Sequence, residues 1–209
     1  MKAAGLSPLH ERVLDELAGM QPTWTLFGAG ALIGFYLHHR TTRDLDLAFR
    51  PHRVLGEIPR EVEARLVIAG LVVERLQSAN SFVRLLVRDG DASIEVDLVA
   101  DPTAPVEPAS ELRPGVYVDT VRELLAQKLC ALLSRTELRD LEDIGALLDA
   151  GGDLGRGLTD AASKDGGFSP PTLAWLLHAF PIERAVDEGR DQARLAAIRA
   201  RLLEVLRAG

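Results

Sequence analysis

Apolar and polar residues alternate along several short segments in the first half of the chain, and a period of two predicts β-strands. One of these segments contains Asp44 and Asp46. The other predicted strands cover residues 23–27, 71–76, 82–88 and 93–99. Between the last two strands, the tripeptide Asp89-Gly90-Asp91 is typical of a hairpin turn.

Elsewhere the apolar residues recur at helical spacing. The first predicted helix has Ser7 as its N-cap and Pro8 in its first turn. Residues 31–37 are apolar nearly all round, which predicts a buried helix. The remaining predicted helices cover residues 59–69, 120–134, 137–149, 153–163, 170–180 and 189–206.

The order of these elements predicts an α/β (α+β) protein with two domains. Residues 1–118 are expected to form an α/β core around a mixed sheet, and residues 119–209 an all-helical domain. Residues 101–114 contain four prolines, so we expect an ordered crossing loop or linker there.

Two acids in one predicted strand are the strongest chemical signal. Because side chains alternate along a strand, Asp44 and Asp46 point to the same face, with Cβ atoms roughly 7 Å apart. Leu45, Leu47 and Phe49 take the opposite face, which suits a core. Paired carboxylates can bind a hard divalent cation such as Mg²⁺. The pattern favours metal-dependent phosphoryl transfer.

A third acid, Asp97, lies on a later predicted strand and shares a face with Glu95. If that strand lies near the Asp44 strand, Asp97 completes a three-carboxylate cluster that ligates metal or accepts a proton from an attacking hydroxyl. The alternative is an edge strand with a solvated polar face.

The small-residue turn Gly28-Ala29-Gly30 precedes the buried helix. Small residues there let phosphate oxygens approach backbone N–H groups at a helix N-terminus. A tight turn without a ligand is the alternative interpretation, because glycine is common in such turns.

Lys128 lies within or beside the apolar stripe of its predicted helix, and Arg135 follows on the same side. A lysine at this position reaches into a cleft, pairs with a carboxylate or extends its ammonium to solvent. Asp140 and Asp143 are neighbours on the next helix, where a favourable interaction with the helix dipole competes as an explanation.

Composition narrows the class of protein. The net charge of −7 argues against strong non-specific binding to nucleic acid. A basic stretch from His38 to Arg65, with six arginines and three histidines, nevertheless brackets the paired acids, where a triphosphate or a nucleic-acid end could bind. A solvated mixed-charge surface explains it equally well.

The expected location is the cytoplasm. Cys130 is the single cysteine, which fits a reducing compartment and excludes an internal disulfide framework. No segment has the length and apolarity of a membrane span. Residues 1–6 are followed at once by polar residues, so no secretory signal is expected.

Together, the residues from Leu26 to Leu32 and from Arg43 to Leu47 resemble the first motif of nucleotidyltransferase-fold proteins. The layout from about Gly28 to Asp149 is similar to the AbiEii/AbiGii toxin branch of that superfamily. The motifs that carry the resemblance are the glycine pair, Thr41-Thr42-Arg43, the Asp-x-Asp strand with Asp44 and Asp46, then Asp97, Lys128, and Asp140 with Asp143.

The resemblance implies a polymerase-β-like core, with the helical domain contributing to the active-site cleft. It implies transfer of a nucleotide from an NTP to an acceptor hydroxyl, with Mg²⁺ or Mn²⁺ as cofactor. The implied catalytic residues are Asp44, Asp46, Asp97 and Lys128, of which the three aspartates hold metal. The implied nucleotide-binding residues are Gly28, Gly30, Arg43, Lys128 and Asp143.

Three functions remain open, of which two differ in the acceptor and one involves no catalysis. The resemblance implies RNA or tRNA as the acceptor, as in some members of this branch, with a cognate antitoxin protein as partner. The acidic net charge favours a cationic small molecule of the aminoglycoside type as acceptor. A module that binds a nucleotide or a partner without catalysis is the third alternative.

Overall fold

The computed structural model describes residues 5–208, so residues 1–4 of the expected N-terminal segment lie outside the described residues. The chain divides into two compact units, Met1–Thr120 and Val121–Gly209.

Unit 1 contains a mixed seven-stranded sheet with the order β3-β4-β5-β2-β1-β7-β6. The β1–β7 and β2–β5 pairs are parallel, and the other neighbours are antiparallel. The strands are β1 (Thr25–Phe27), β2 (Asp44–Phe49), β3 (Val72–Ser78), β4 (Phe82–Asp89), β5 (Ala92–Ala100), β6 (Ser110–Arg113) and β7 (Val116–Val118).

Alternating apolar residues give this sheet one buried face. Leu47 on β2 lies beside Leu98 on β5, which in turn lies opposite Val83 on β4, and all three are almost fully buried. Helices α1 (Pro8–Leu17) and α3 (Ile58–Ile68) pack against each other, and α1 also contacts β5. Side chains alternate along a strand, so residues between these apolar positions, such as Asp46 on β2 and Asp97 on β5, point to the opposite face of the sheet.

Local sequence determines where the helices of unit 1 begin. Ser7 caps α1: its hydroxyl accepts from the His10 N–H, and His10 Nδ1 accepts from the Ser7 N–H. Helix α2 (Gly28–Ala31) follows β1 directly and continues as a π-helical segment, Leu32–Leu37. In that segment only Leu32 and Ile33 are buried, so the predicted all-round burial is wrong beyond them.

Within the described residues, unit 2 is entirely helical. Its helices are α4 (Val121–Arg135), α5 (Leu138–Asp149), α6 (Leu154–Lys164), α7 (Pro170–His178), α8 (Arg184–Asp187) and α9 (Gln192–Ala208). Gly157 on α6 lies directly against Leu125 on α4, and Gly145 on α5 lies against Ile198 on α9. Glycine permits these close helix contacts because it has no Cβ.

The predicted mixed sheet and helical second half are confirmed. Three short elements were missed. Strands β6 and β7 lie in and after the proline-rich stretch predicted as loop or linker, and α8 lies between two predicted helices. No helix among residues 5–208 has the length and apolarity needed to cross a membrane.

Candidate active site

Acidic side chains from β2 and β5 are neighbours on the sheet face that points away from the apolar core. The parallel register places Asp46 beside Asp97 and Asp44 beside Glu95. Residues opposite each other on paired strands point to the same face. Asp97 is buried, with only 5% of its surface exposed, whereas Asp44 and Asp46 are half-buried.

The turn from β1 into α2 lies directly beside Asp46. Phe27, the last residue of β1, pairs with Asp46, and α2 begins at Gly28. Gly28 has a φ of +64°, and a Cβ there would overlap Asp46 Oδ2. Only glycine meets both requirements without strain. The Asp46 carboxylate therefore lies over the first turn of α2.

Glycine is required at position 30 for a different reason. A Cβ there would lie 3.1 Å from Leu45 Cδ2, so its absence lets α2 pack closely on β2. The predicted nucleotide-binding roles of Gly28 and Gly30 stay predictions.

Just before β2, the turn residues hold Asp44. The Thr42 hydroxyl donates to Asp44 Oδ1 and accepts from the Asp44 backbone N–H. Arg43 is exposed, and its carbonyl oxygen accepts from the Glu95 N–H at 3.0 Å, which extends the β2–β5 ladder by one step. The Arg43 side chain therefore lies at the solvent-facing start of the strand, and its nucleotide-binding role stays a prediction.

Arg84, which the sequence analysis did not single out, holds Asp97. Its Nε donates to Oδ1 at 2.7 Å and its Nη2 to Oδ2 at 2.6 Å. Its Nη1 lies 3.3 Å from a carboxylate oxygen of Glu95. The hairpin turn contained the missing signal: a two-residue turn at Gly90 and Asp91 sets the β4–β5 register, which places Arg84 opposite Asp97.

A second arginine links three strands of the same unit. Arg50 Nη1 and Nη2 donate to the two carboxylate oxygens of Asp119 at 2.8 and 3.1 Å, and its Nε donates to Asp101 at 2.7 Å. Asp119 is fully buried. Burial alone would raise the pKa of Asp101, but hydrogen bonds from Arg50 and Thr103 lower it below its usual range.

The metal roles of Asp44, Asp46 and Asp97 stay predictions. Among residues 5–208, no three His, Cys, Asp or Glu side chains are grouped so that they could hold a metal ion. The donor set itself suits Mg²⁺ or Mn²⁺, because both cations prefer carboxylate oxygen. The absence of a Cβ at Gly28 gives the Asp46 carboxylate its place over the turn, because a Cβ there would overlap Oδ2.

Unit 2 contains a deeply buried charge cluster. Lys128 Nζ lies 3.0 Å from Asp140 Oδ1 and 2.8 Å from Asp143 Oδ2. Both aspartate side chains are fully buried, and the lysine side chain is 6% exposed. Arg135 donates to both oxygens of Asp140 at 2.6 and 2.7 Å. The Lys128 ammonium thus pairs with carboxylates and does not extend to solvent.

The cluster keeps Asp140 ionised. Burial alone would raise the pKa of Asp140, but hydrogen bonding from Arg135 and the nearby charge of Lys128 lower it below its usual range. The carboxylate therefore accepts from two cationic side chains. Its position in the first turn of α5 adds a favourable helix-dipole interaction.

Comparison with known proteins gives one family. A model described as nucleotidyl transferase AbiEii toxin, type IV toxin–antitoxin system, matches residues 12–207. No curated protein matches this chain.

Several solved structures are similar. A protein from H. pylori described as a nucleotidyltransferase has a TM-score of 0.60 at 20% identity, covering 97% of this chain and 98% of its own. MenT4, a nucleotidyltransferase toxin from Mycobacterium tuberculosis, has a TM-score of 0.49 at 18% identity, covering 87% and 65%. An antigenic nucleotidyltransferase-like protein from Paracoccidioides brasiliensis has a TM-score of 0.46 at 15% identity, covering 79% and 90%. The first similarity confirms the predicted nucleotidyltransferase fold.

Proposed function

This chain belongs to the AbiEii family of nucleotidyltransferase toxins, and we propose that it moves a nucleoside monophosphate from an NTP to an acceptor hydroxyl with the help of Mg²⁺ or Mn²⁺. The observation that carries the proposal is the β2–β5 register, which puts Asp46 beside Asp97 on one face of the sheet. Asp44 lies on the same face two residues earlier.

Asp44, Asp46 and Asp97 are the residues proposed to hold the metal. When bound, a divalent cation offsets triphosphate charge and polarises the phosphorus–oxygen bond that is broken. The fit rests on the chemistry of the donor set, since all three side chains supply hard carboxylate oxygen atoms from the same face of the sheet.

The chain's own groups have distinct proposed roles. Gly28 and Gly30 open the N-terminus of α2 to phosphate oxygens, where backbone N–H groups favour negative charge. Arg43 is proposed to contact the nucleotide from its exposed position. Asp97 is proposed to help remove the proton of the acceptor hydroxyl, a task for which a carboxylate must lie within hydrogen-bond reach.

Lys128 and Asp143 keep their predicted roles as proposals. Lys128 is proposed to contact the phosphates and to offset charge on the departing pyrophosphate. Asp143 is proposed to act in nucleotide binding by holding Lys128, and the 2.8 Å ion pair between the two side chains supports this. Such a pair fixes the position of the ammonium before substrate binds.

RNA, including tRNA, is the acceptor that we propose, because the chain belongs to a toxin family. A cognate antitoxin protein is the proposed partner, since the matched family is part of a toxin–antitoxin system. The proposed location is the cytoplasm, where NTPs and RNA are both present.

One observation favours a second candidate acceptor. The net charge of −7 disfavours a polyanion and suits a cationic small molecule such as an aminoglycoside. This alternative keeps the same fold, the same acids and the same nucleotide donor.

Purified protein should be incubated with each of four labelled NTPs, Mg²⁺ and either total RNA or aminoglycosides. We expect label in RNA, loss of transfer when a chelator is added, and loss in the Asp46→Ala variant. Asp91→Asn is the matched control, because it removes an exposed acid from the β4–β5 turn of the same unit.

The outcomes separate the alternatives. Label in the small molecule alone would replace RNA by the second acceptor. No transfer to either acceptor, together with nucleotide binding, would favour a non-catalytic binding module.

A further inference from the structure

We propose that Arg84 is an internal competitor of the divalent cation: its guanidinium occupies Asp97, and the cation must displace it before Asp97 becomes a metal ligand. The inference rests on the proposed metal site and identifies Arg84 as a residue that positions Asp97 and regulates its availability. Nothing in the sequence motifs assigns this residue a role.

The two hydrogen bonds to Asp97 occupy both of its oxygens. Arg84 Nε donates to Oδ1 at 2.7 Å and Nη2 donates to Oδ2 at 2.6 Å. A planar guanidinium matches a carboxylate in this two-point arrangement, which is stronger than a single neutral hydrogen bond. The orientation of Asp97 is therefore set by Arg84.

Charge makes the arginine and a metal ion mutually unfavourable on one carboxylate. Like charges a few ångströms apart repel strongly where solvent screening is weak, and Asp97 is only 5% exposed. A guanidinium keeps its positive charge throughout the accessible pH range, so the competing charge is always present. A divalent cation at Asp97 must therefore move the guanidinium away.

Arg84 is the partner that can move. Its side chain is 37% exposed, compared with 7% for the side chain of Asp97, and a long arginine stem can place its charge in solvent. Its Nη1 already lies 3.3 Å from Glu95, whose side chain is 42% exposed. Its guanidinium carbon also lies 5.7 Å from the centre of the Phe82 ring. Both neighbours offer it a position after it leaves Asp97.

Mn²⁺ binding to the full chain without nucleotide tests the proposal, with free Mn²⁺ measured by electron paramagnetic resonance. We expect Arg84→Gln to bind Mn²⁺ about tenfold more tightly than wild type, the scale of one charge-assisted hydrogen bond partly screened by solvent. Arg84→Lys, which keeps the charge, should stay within about threefold of wild type on the same scale.

Arg88→Gln is the matched control. Arg88 lies four residues along the same strand and on the same face, and its Nη1 pairs with Glu74 at 3.0 Å. We expect no change in Mn²⁺ affinity. The effect of Arg84→Gln should also vanish when Asp97 is replaced by Asn, because the competition acts through that carboxylate.

Unchanged or weaker Mn²⁺ binding by folded Arg84→Gln would overturn the proposal, as would tighter binding that persists in the Asp97→Asn background. Absence of Mn²⁺ binding in both wild type and Arg84→Gln would also overturn it. Transfer of label by the wild-type protein, measured separately with Mg²⁺, shows whether the proposed function itself fails. If Arg84→Gln does not fold, tighter binding or a loss of more than tenfold in Arg84→Lys decides against the proposal.

Discussion

The two units each contain a cluster of carboxylates paired with cationic side chains, but the clusters differ in exposure. In unit 1 the Arg84 side chain is 37% exposed, although its partner Asp97 is 7% exposed. In unit 2 the side chains of Asp140 and Asp143 are fully buried and Lys128 is 6% exposed. A half-open pair can exchange its cation with solution, whereas a buried one can lose it only at a high desolvation cost.

The difference in exposure predicts that the first cluster mainly affects nucleotide transfer and that the second also affects the stability of the fold. In the first cluster Arg84 pairs with Asp97, but Asp44 and Asp46 add further negative charge on the same face, and a bound cation would relieve the repulsion among these acids. The acids of α5 already have permanent counter-charges within the helical unit. We therefore expect substitutions in the first cluster to change transfer and metal response, and substitutions in the second to change unfolding as well.

The largest expected effect is the loss of transfer in Asp46→Ala. The variant should keep its fold, and its melting temperature without metal should equal or exceed that of wild type, because one of several like charges is gone. Mg²⁺ with NTP should raise the melting temperature of wild type by mass action and that of the variant much less. Thermal unfolding followed by circular dichroism checks both points. An equal response in the two proteins would show that Asp46 does not hold the metal.

Lys128→Ala should produce the opposite stability result. Two buried carboxylates lose a shared partner, so the free energy of unfolding should fall by about 3–5 kcal/mol. Transfer should fall by about 10²-fold or more at a temperature where the variant remains folded. Urea denaturation and the labelled-NTP assay measure the two effects.

The control for Lys128→Ala is Arg139→Ala, which removes an exposed cation from α5. Its unfolding free energy should change by no more than about 0.5 kcal/mol. Equal stability of Lys128→Ala and Arg139→Ala would show that the buried cluster of Lys128, Asp140 and Asp143 does not stabilise unit 2. Normal turnover of Lys128→Ala would restrict Lys128 to a structural role.

Gly28→Ala tests whether the position of the Asp46 carboxylate depends on the turn from β1 into α2. Its φ of +64° costs an alanine about 1–2 kcal/mol, and the added Cβ would also displace the Asp46 carboxylate. Gly56→Ala is the matched control, since Gly56 has a φ of +54° and nothing within 4 Å of its Cβ position. Both variants should lose stability in urea, but only Gly28→Ala should lose transfer. Equal transfer in both would mean that the overlap with Asp46 has no catalytic consequence.

Local patterns predicted most elements to within a few residues, because alternation and capping act over short distances. The strand with Asp44 and Asp46 is an example, since its period of two directly assigns one face to acids and the other to the core. Strands β6 and β7 have four and three residues, and β7 pairs with β1, far away in sequence. Such strands depend on distant pairing, which a proline-rich stretch does not reveal.

In the candidate site, too, features set by nearby residues could be predicted, and features set by residues distant in sequence could not. Arg84 was predictable in principle, because a tight hairpin places it opposite Asp97. The ion pair of Arg50 with Asp119 joins residues 69 positions apart and has no local signal. Alternation indicated Asp97 as a third acid only on the condition that its strand lies near the Asp44 strand, and the adjacency of β2 and β5 was beyond local reasoning.

The smallest expected effect concerns Asp101, whose side chain is 22% exposed and therefore more exposed than Asp97, Asp140 or Asp143. Its pKa in the folded protein is lowered, so its stabilising contribution is present above the unfolded pKa of about 3.9 and is lost as the pH falls through the lower, folded value. Asp101→Asn should therefore be less stable than wild type at pH 7, by about 1 kcal/mol or less.

Urea denaturation between pH 7 and pH 3 measures this difference for Asp101→Asn. The gap between variant and wild type should narrow as the pH falls, because wild type then loses the same ionised carboxylate. The exposed turn variant Asp91→Asn should show no comparable gap at any pH. A gap that stayed constant down to pH 3 would mean that Arg50 holds Asp101 by shape and not by charge.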